Sequence, residues 1–248
     1  MSSSSIQWLI GCSGFHYREW KGVFYPEGLP QRKWFDYYCE HFSTLELNVT
    51  FYRFPEVSFL QNWYDKSPAD FTFAAKVPRL ITHYKKFADC RAQIDDFYST
   101  IDKGLKEKLG CVLFQLPPDL VYDEQLLDKI VNHVNPTFKN VIEFRHSSWW
   151  TPQVYKVLSE FNITFCSISY PRLPDTVVQT TDSIYYRFHG IPRLYYSSYT
   201  RAFLQEVAAG IKKLTHVRQS WFFFNNTAEV AAIRNARFLQ KQLAKQNS

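Results

Sequence analysis

The sequence predicts an α/β protein, a TIM-type (β/α)₈ barrel, and three observations lead to that class. Eight short apolar runs alternate with longer segments in which apolar residues recur every three or four positions. The length of 248 residues suits eight such units. Polar residues end the predicted strands two, three, five, seven and eight. A closed barrel brings all these ends to one mouth, whereas a doubly wound open sheet, the main alternative, gathers only two or three of them.

The predicted strands are short apolar runs, as expected for a parallel sheet that is covered on both faces. Side chains alternate along each strand, so every second residue points into the barrel. In chain order the predicted strands are residues 8–12, 44–48, 71–76, 111–116, 140–144, 164–168, 184–189 and 221–225.

The predicted helices follow from apolar residues at helical spacing, and two of them also carry start signals. The acidic start at Asp123 suits the helix dipole, and Thr151-Pro152 is a cap followed by a first-turn proline. The predicted helices are residues 31–41, 58–67, 91–106, 123–134, 151 to about 161, 199–216 and 227–246. After strand six, Pro171 and Pro174 predict an irregular loop instead of a helix.

No linker, low-complexity tract or charge block divides the chain, so residues 1–248 are expected to form one barrel domain. We expect the polar residues 1–5 to be disordered. The five cysteines are odd in number and lack a Cys-x-x-Cys pair, which favours a reducing compartment. Without a signal-peptide pattern or a bilayer-length apolar run, the expected location is cytoplasmic, with no membrane contact. The pattern specifies neither a cofactor nor an oligomeric state.

Composition favours an anionic partner over several familiar enzyme classes. The formal net charge is +6 and the pI is about 9.0, which suits an anionic small molecule or nucleic acid. Aromatic residues make up 18% of the chain, which indicates an aromatic-rich core or a ring-lined cleft for sugars or bases. The sequence has no Walker loop, dinucleotide fingerprint, His-Glu-x-x-His or Gly-x-Ser-x-Gly, which argues against the classes that those motifs define.

The candidate site consists of polar residues at or just beyond the strand ends. Glu143 and Arg145 share one face of strand five, with Phe144 on the other, because side chains alternate. Ionised side chains at the end of a buried strand need partners. The expected catalytic residues are Glu46, Glu143 and His189, and the expected substrate-binding residues are Asn48, Arg53, Lys76, His83, Gln115, Arg145, Arg187 and Asn225.

Charge balance at this mouth predicts an anionic ligand. Two glutamates face three cations, or four with Arg53, which leaves a net positive charge of at least one. Such a mouth suits a phosphate, a carboxylate or a nucleic-acid backbone. The alternative is an internal salt-bridge network, in which arginines satisfy both glutamates. A divalent metal site usually has a surplus of carboxylates or imidazoles, so no metal ligand is assigned.

The expected chemistry is proton transfer. Glu143 lies beside two guanidinium groups, which should lower its pKa and make it a base. His189 is the expected proton donor near neutral pH. Cys12, at the end of strand one, is a weaker candidate nucleophile, because most buried cysteines are inert.

Eight sets of motifs lie in order along nearly the whole chain. They are GCSGF (11–15) with Tyr17 and Trp20, VFYPEGLP (23–30), ELNVTFYR (46–53), KVP (76–78) with ITH (81–83), FQLPP (114–118), EFRHSSW (143–149), RFHG (187–190) and FNNT (224–227). The set resembles the YecE-like family, domain-of-unknown-function family 72, with Phe15 where the family commonly has Trp. The resemblance implies a TIM-type barrel and no established reaction.

Three functional hypotheses follow. The first is a barrel protein that binds or acts on a phosphate-bearing substrate, either a nucleotide or nucleic acid, at the mouth. The second is a metal-dependent hydrolase or isomerase, by fold analogy with the endonuclease IV superfamily, although the sequence lacks that group's rich set of His, Asp and Glu ligands. The third is a non-catalytic nucleic-acid-binding protein that uses the basic surface and aromatic rim.

Overall fold

Eight parallel strands pair in chain order, and the last pairs with the first, in a computed structural model that describes residues 6–245. The strands β8 and β1 run in register from Gln7 opposite Gln219 to Cys12 opposite Phe224. This closure confirms the (β/α)₈ barrel over an open sheet. The strands are β1 Gln7–Ser13, β2 Thr44–Leu47, β3 Thr72–Lys76, β4 Leu109–Gln115, β5 Asn140–Glu143, β6 Thr164–Ser169, β7 Ser183–Phe188 and β8 Gln219–Phe224.

Helices occupy the connections on the outside of the barrel. They are α1 Trp34–Cys39, α2 Val49–Tyr52, α3 Val57–Lys66, α4 Arg91–Leu105, α5 Glu124–His133, α6 Pro152–Glu160, α7 Arg201–Lys212 and α8 Ala231–Ala244. The cap expected at Thr151 is present, and Asp123, expected in the first turn of its helix, is the cap of α5; each side chain accepts a hydrogen bond from a backbone amide of its helix.

The connection from β6 to β7 has no helix within the described residues, as the two prolines predict. Backbone hydrogen-bonding groups in this loop are satisfied by side chains instead. Ser167 Oγ accepts from Val178 N at 2.9 Å, and Tyr186 OH donates to Asp175 O at 2.8 Å. The barrel therefore has one irregular unit. Residues 1–5 and residue 246 of the last predicted helix lie outside the described range.

The core has an inner and an outer layer. Inside the barrel, an apolar plug is formed mainly by alternate residues of the strands. Trp221 is part of the plug and is 2% exposed. It packs against Gly110 so closely that a Cβ there would lie 2.2 Å from its ring. The plug consists of Leu9, Ala74, Cys111, Leu113, Val141, Cys166, Ile168, Tyr185, Trp221 and Phe223.

Most of the aromatic residues belong to the outer layer, between the barrel and its helices and loops. Tyr25 and Trp34 stack with centroids 4.5 Å apart, and Phe144 stacks on Trp149 at 4.2 Å. Trp149 is fully buried, so its ring packs within this layer. Within residues 6–245, no helix is long and apolar enough to cross a membrane.

Candidate functional site

Above the plug, inward-facing residues change from apolar to charged at the carboxyl ends of the strands. Glu46 and Glu143 take the inward positions near the ends of β2 and β5, and Arg187 takes one near the end of β7. All three side chains are 0% exposed. Since side chains alternate along a strand, the residues before and after each of them pack outward. The barrel thus collects charges that are distant in sequence.

Arg187 connects the two glutamates. Its Nη2 donates to Glu46 Oε1 at 2.6 Å, and its Nη1 donates to Glu143 Oε2. Tyr185 OH donates to the other oxygen of Glu46 at 2.6 Å. Among the residues described, Arg187 Nε has no hydrogen-bond partner. The ion pairing expected as the alternative to a ligand site is therefore present around Arg187.

Arg145 and His189 extend this network toward the mouth. Arg145 Nε donates to Glu143 Oε1, and its Nη2 lies 3.2 Å from His189 Nε2. The guanidinium also covers the Tyr170 ring, 4.3 Å from the centroid. Asn225 Nδ2 donates to His189 Nδ1 at 3.0 Å. Arg145 is 8% exposed, so it is the guanidinium of this network that reaches the solvent-accessible side.

The two arginines set the protonation of their neighbours. Burial alone would raise the pKa of Glu143, but Arg145 and Arg187 outweigh it and hold the pKa well below the usual range. Burial and the same two arginines lower the pKa of His189 well below 6.5. Glu143 is therefore ionised, as expected. His189 is neutral at pH 7, which corrects the view of this ring as a protonated donor near neutral pH.

Lys76 ends β3 at the edge of the same network, and its ammonium has an unusual setting. It is 7% exposed, and Nζ lies 3.9 Å above the centre of the Phe51 ring. Within residues 6–245, Nζ has no carboxylate within 4.0 Å and no hydrogen-bond acceptor. Burial and then the charge of Arg187 lower its pKa to about 7. The neutral amine of Lys76 is thus accessible near neutral pH.

The polar residues around Lys76 and Arg145 form a pocket of about 460 Å³. Gln115 Nε2 lies 3.4 Å from His83 Nε2, and Thr82 Oγ1 lies 2.9 Å from His83 Nδ1. Burial, with Lys76 and Arg145, lowers the pKa of His83 to about 4, so the ring is neutral. The pocket is lined by Tyr17, Asn48, Phe51, Tyr52, Lys76, His83, Gln115, Arg145, Tyr195 and Asn225.

His83 reaches this pocket from a π-helical turn, Leu80–Tyr84, that follows β3. Such turns widen the helix by one residue and often occur at functional sites. The turn buries Ile81 and Thr82 while His83 remains half-buried. Its ring is edge-on to Phe51, with centroids 5.0 Å apart. The local fold therefore presents one imidazole beside the Lys76 ammonium.

A second, more apolar pocket of about 520 Å³ adjoins the first and shares Tyr17, Asn48 and Tyr52 with it. Phe59 and Trp63 of α3 line its far side. A ligand with one polar and one apolar or planar end could occupy both pockets, whose volumes are typical of small-molecule sites. The expectation of rings beside the polar mouth thus has a structural counterpart.

The structure brings together ten of the eleven predicted site residues and leaves out one. Arg53 lies on the exposed surface after α2 and pairs with Glu56 at 3.2 Å. The two glutamates and two buried arginines cancel in charge. The positive charge expected at the mouth is therefore no more than the charge of Lys76. The other two cations are balanced by the two glutamates through three carboxylate–guanidinium contacts.

Several residues of the site were not predicted. Tyr185 lies two positions before Arg187, so the period of the strand could have placed it inside the barrel. Phe51, Tyr170 and Tyr195 come from loops or from the short helix α2, where no simple periodicity signals an inward direction. Their contribution follows from loop geometry that the sequence pattern does not contain.

Two weaker candidates have no support from the geometry. Cys12 is fully buried, and burial raises its pKa, so it is an unreactive thiol. In residues 6–245, no group of three or more His, Cys, Asp or Glu side chains is placed to hold a metal ion. The oxygens of Glu46 and Glu143 instead bind Arg187, Arg145 and Tyr185.

The fold and the site define a (β/α)₈ barrel with a buried ion-pair network below a polar pocket at its C-terminal mouth. The family model described as "Protein of unknown function DUF72" matches residues 9–248. The chain belongs to the DUF72 family.

Relatives with curated names share parts of the chain. The UPF0759 protein YunF of Bacillus subtilis (strain 168) is 26% identical over 144 residues, which is 55% of this chain and 51% of YunF. The UPF0759 protein YecE of Escherichia coli (strain K12) is 29% identical over 100 residues, 36% of each chain. The matched segments therefore span about half of YunF and about a third of YecE.

Solved structures match over nearly the whole chain. The crystal structure of a DUF72 family protein from Thermotoga maritima MSB8 has a TM-score of 0.87 at 28% identity, covering 96% of this chain and 99% of that one. A DUF72 family protein from Enterococcus faecalis V583 has a TM-score of 0.82 at 18% identity, covering 97% and 96%. At that identity, the second likeness concerns the fold alone.

Proposed function

We propose that the protein binds a small phosphate-bearing molecule of about nucleotide size at the mouth of the barrel. The observation that supports it is that two cationic side chains, Arg145 and Lys76, line the same pocket of about 460 Å³. Arg145 uses Nε and Nη2 within the protein, and no hydrogen bond within residues 6–245 involves its Nη1. A guanidinium held in this way by a carboxylate and a tyrosine ring is pre-oriented for an oxyanion.

Neutral polar groups around the two cations suit the remaining contacts of such a ligand. The amides of Asn48, Gln115 and Asn225 face the pocket with His83, which is neutral and can accept or donate one hydrogen bond. The adjoining ring-lined pocket suits a sugar or base attached to the phosphate. Glu143, ionised and fully buried, does not line the pocket, and its role in this proposal is to hold Arg145 in place for the ligand.

The test is a titration of the full-length protein with inorganic phosphate, AMP and ribose 5-phosphate, followed by thermal unfolding and calorimetry. We expect each to raise Tm, with AMP binding most tightly because it also occupies the aromatic pocket. Arg145→Gln should weaken binding by about tenfold or more, since a charge-assisted bond is lost. Lys139→Gln, at the opposite end of the barrel, is the matched control. An unchanged Tm with all three ligands would remove the proposal.

Nucleic-acid binding is a second candidate, favoured by the exposed rim beside the pocket. Arg79 covers the rings of Tyr52 and Tyr84 at 5.5 Å each, and Arg53 is exposed nearby on the α2 side. A bound strand would use these groups to hold backbone phosphates and stack bases. Binding of a short single-stranded oligonucleotide should then fall steeply with salt and weaken in Arg53→Gln and Arg79→Gln. AMP binding should be unaffected in both variants.

A further inference from the structure

The part of the chain that the structure describes contains two buried lysines, and their surroundings differ sharply. Lys108, 6% exposed, donates from Nζ to Tyr64 O, Ser67 O and Ser67 Oγ at 2.6, 2.8 and 3.0 Å. Those three bonds match the three N–H groups of an ammonium, so Lys108 is a structural cation. The Nζ of Lys76 has no such acceptor in the described part of the chain. Lys76 instead lines the pocket that it shares with Arg145, where its amine is not committed to a protein acceptor.

The groups around Lys76 act on its charge in both directions: burial and two arginines disfavour it, whereas two carboxylates and the Phe51 ring favour it. The charges that act on it are Arg187, Glu143, Glu46 and Arg145, and the neutral ring of His83 lines the same pocket. The two carboxylates are already bound to the two arginines. With its pKa lowered from 10.5 to about 7, Lys76 reaches the neutral amine far more readily near neutral pH than an ordinary lysine does.

A neutral primary amine that is partly desolvated in a pocket, next to a fixed cation, is a known setting of a nucleophilic lysine. Lysines that are desolvated beside another cation attack carbonyl carbons and form imines. Lys76 combines this setting with a position at the carboxyl end of a barrel strand, where barrel enzymes place reacting groups. Arg145, in the same pocket, could hold an anionic group of the same molecule.

We propose that Lys76 is a carbonyl-reactive amine, and that the substrate is a small aldehyde or ketone that carries a phosphate or carboxylate. This inference rests on the proposed anion-binding function and specifies the substrate class for it. Lys76 Nζ forms a bond to the carbonyl carbon, and the carbonyl electron pair moves to oxygen. The oxygen leaves as water with the two amine protons, so an imine and one water replace the amine and the carbonyl. No oxidant or metal is needed for this step.

Reductive trapping tests the inference. The full-length protein is incubated at pH 7.5 with formaldehyde, dihydroxyacetone, dihydroxyacetone phosphate or pyruvate, then treated with cyanoborohydride, digested and analysed by mass spectrometry. We expect the adduct at Lys76 to exceed that at the exposed Lys129 by about tenfold or more, because Lys76 has far more neutral amine. Lys108, equally buried but fully bonded, is the internal control. Adducts at Lys76 no more abundant than at Lys108 with every probe would overturn the inference.

The two probes that carry an anionic group, dihydroxyacetone phosphate and pyruvate, identify the substrate class. They also separate this inference from the proposed function. Arg145→Gln should lower trapping by dihydroxyacetone phosphate or pyruvate about tenfold more than it lowers trapping by dihydroxyacetone, since only the anion is held by the guanidinium. Equal trapping of charged and neutral probes in the wild type would overturn the anionic class. Phosphate that raises Tm without any adduct at Lys76 would overturn the inference and leave anion binding intact. An adduct without a phosphate-induced rise in Tm would support the amine chemistry and remove anion binding.

Discussion

Arg187 is the residue on which the ion-pair network depends. It is 0% exposed and is the one guanidinium, among the residues described, that contacts both Glu46 and Glu143. Each carboxylate is fully buried, so neither can turn to water if the arginine is removed. The side chain therefore compensates two buried charges at once.

Replacement of Arg187 by methionine should therefore destabilise the fold strongly. We expect a loss of about 3–5 kcal/mol in the free energy of unfolding, because an uncompensated buried charge remains. Urea denaturation at pH 7 measures it. Arg91→Met, which removes a surface pair with Asp95, is the matched control and should leave the midpoint nearly unchanged. Equal effects of the two substitutions would contradict the assigned role of Arg187.

His189 should make the protein sensitive to mild acid. Its folded pKa is lowered by burial, Arg145 and Arg187, so below about pH 6.5 the unfolded chain takes up a proton that the folded chain does not. The unfolded state then binds more protons than the folded state. The free energy of unfolding therefore decreases as the pH is lowered, by about 1.4 kcal/mol per pH unit from this group. His189→Asn should show a shallower decline between pH 6.5 and 5 in urea denaturation. An identical slope in both proteins would be evidence against a neutral buried His189.

At the scale of single elements, the space around two glycines differs. This predicts opposite effects on stability when each is replaced by alanine. At Gly110 in β4, an added Cβ would lie 2.2 Å from the Trp221 ring, whereas at Gly210 in α7 no atom lies within 4 Å. Gly110→Ala should cost about 1–3 kcal/mol by overpacking. Gly210→Ala should stabilise by about 0.5–1 kcal/mol, because alanine favours the helix. Thermal unfolding of the two variants provides the comparison.

The elements themselves were largely predictable because their periodicity is determined by burial. All eight strands and every helix except the short α2 follow from apolar spacing, and the prolines at 171 and 174 predict the connection without a helix. The boundaries were less predictable. Asn48 was expected to end β2, but it precedes α2 with helical dihedrals. A tight turn at that point depends on contacts such as Thr50 Oγ1 to Leu47 O, which local spacing does not specify.

At the scale of the whole molecule, closure explains why most of the site was predictable. Once the barrel is assumed, residues at the strand ends must meet, which places Glu46, Glu143 and Arg187 together. The partners of each charge were not predictable, since they depend on side-chain conformations across the barrel. Arg53 shows the limit: α2 separates it from the strand end and carries it to the surface.

The cost of the unpaired amine should be measurable in the stability of the whole protein. Lys76→Met should stabilise it by on the order of 1–3 kcal/mol at pH 6, because a buried charge without an acceptor is replaced by an apolar side chain. The folded pKa is about 7 against 10.5 for a free lysine, so the gain is full below pH 7 and shrinks as pH rises toward 10.5. Urea denaturation at pH 6 and pH 10 measures the difference. A loss of stability at pH 6 would indicate a structural lysine.

The loop between β6 and β7 separates, along the chain, the two glutamates of the ion-pair network from the arginine that they share. Glu46 and Glu143 precede this loop, and Arg187 follows it, 141 and 44 residues after the two glutamates. A cut within residues 170–182 would leave one piece with the acids and the other with their shared counter-ion. The first piece would keep Arg145 but lose the one guanidinium that joins both glutamates, so the binding pocket should be restored only when both fragments reassemble.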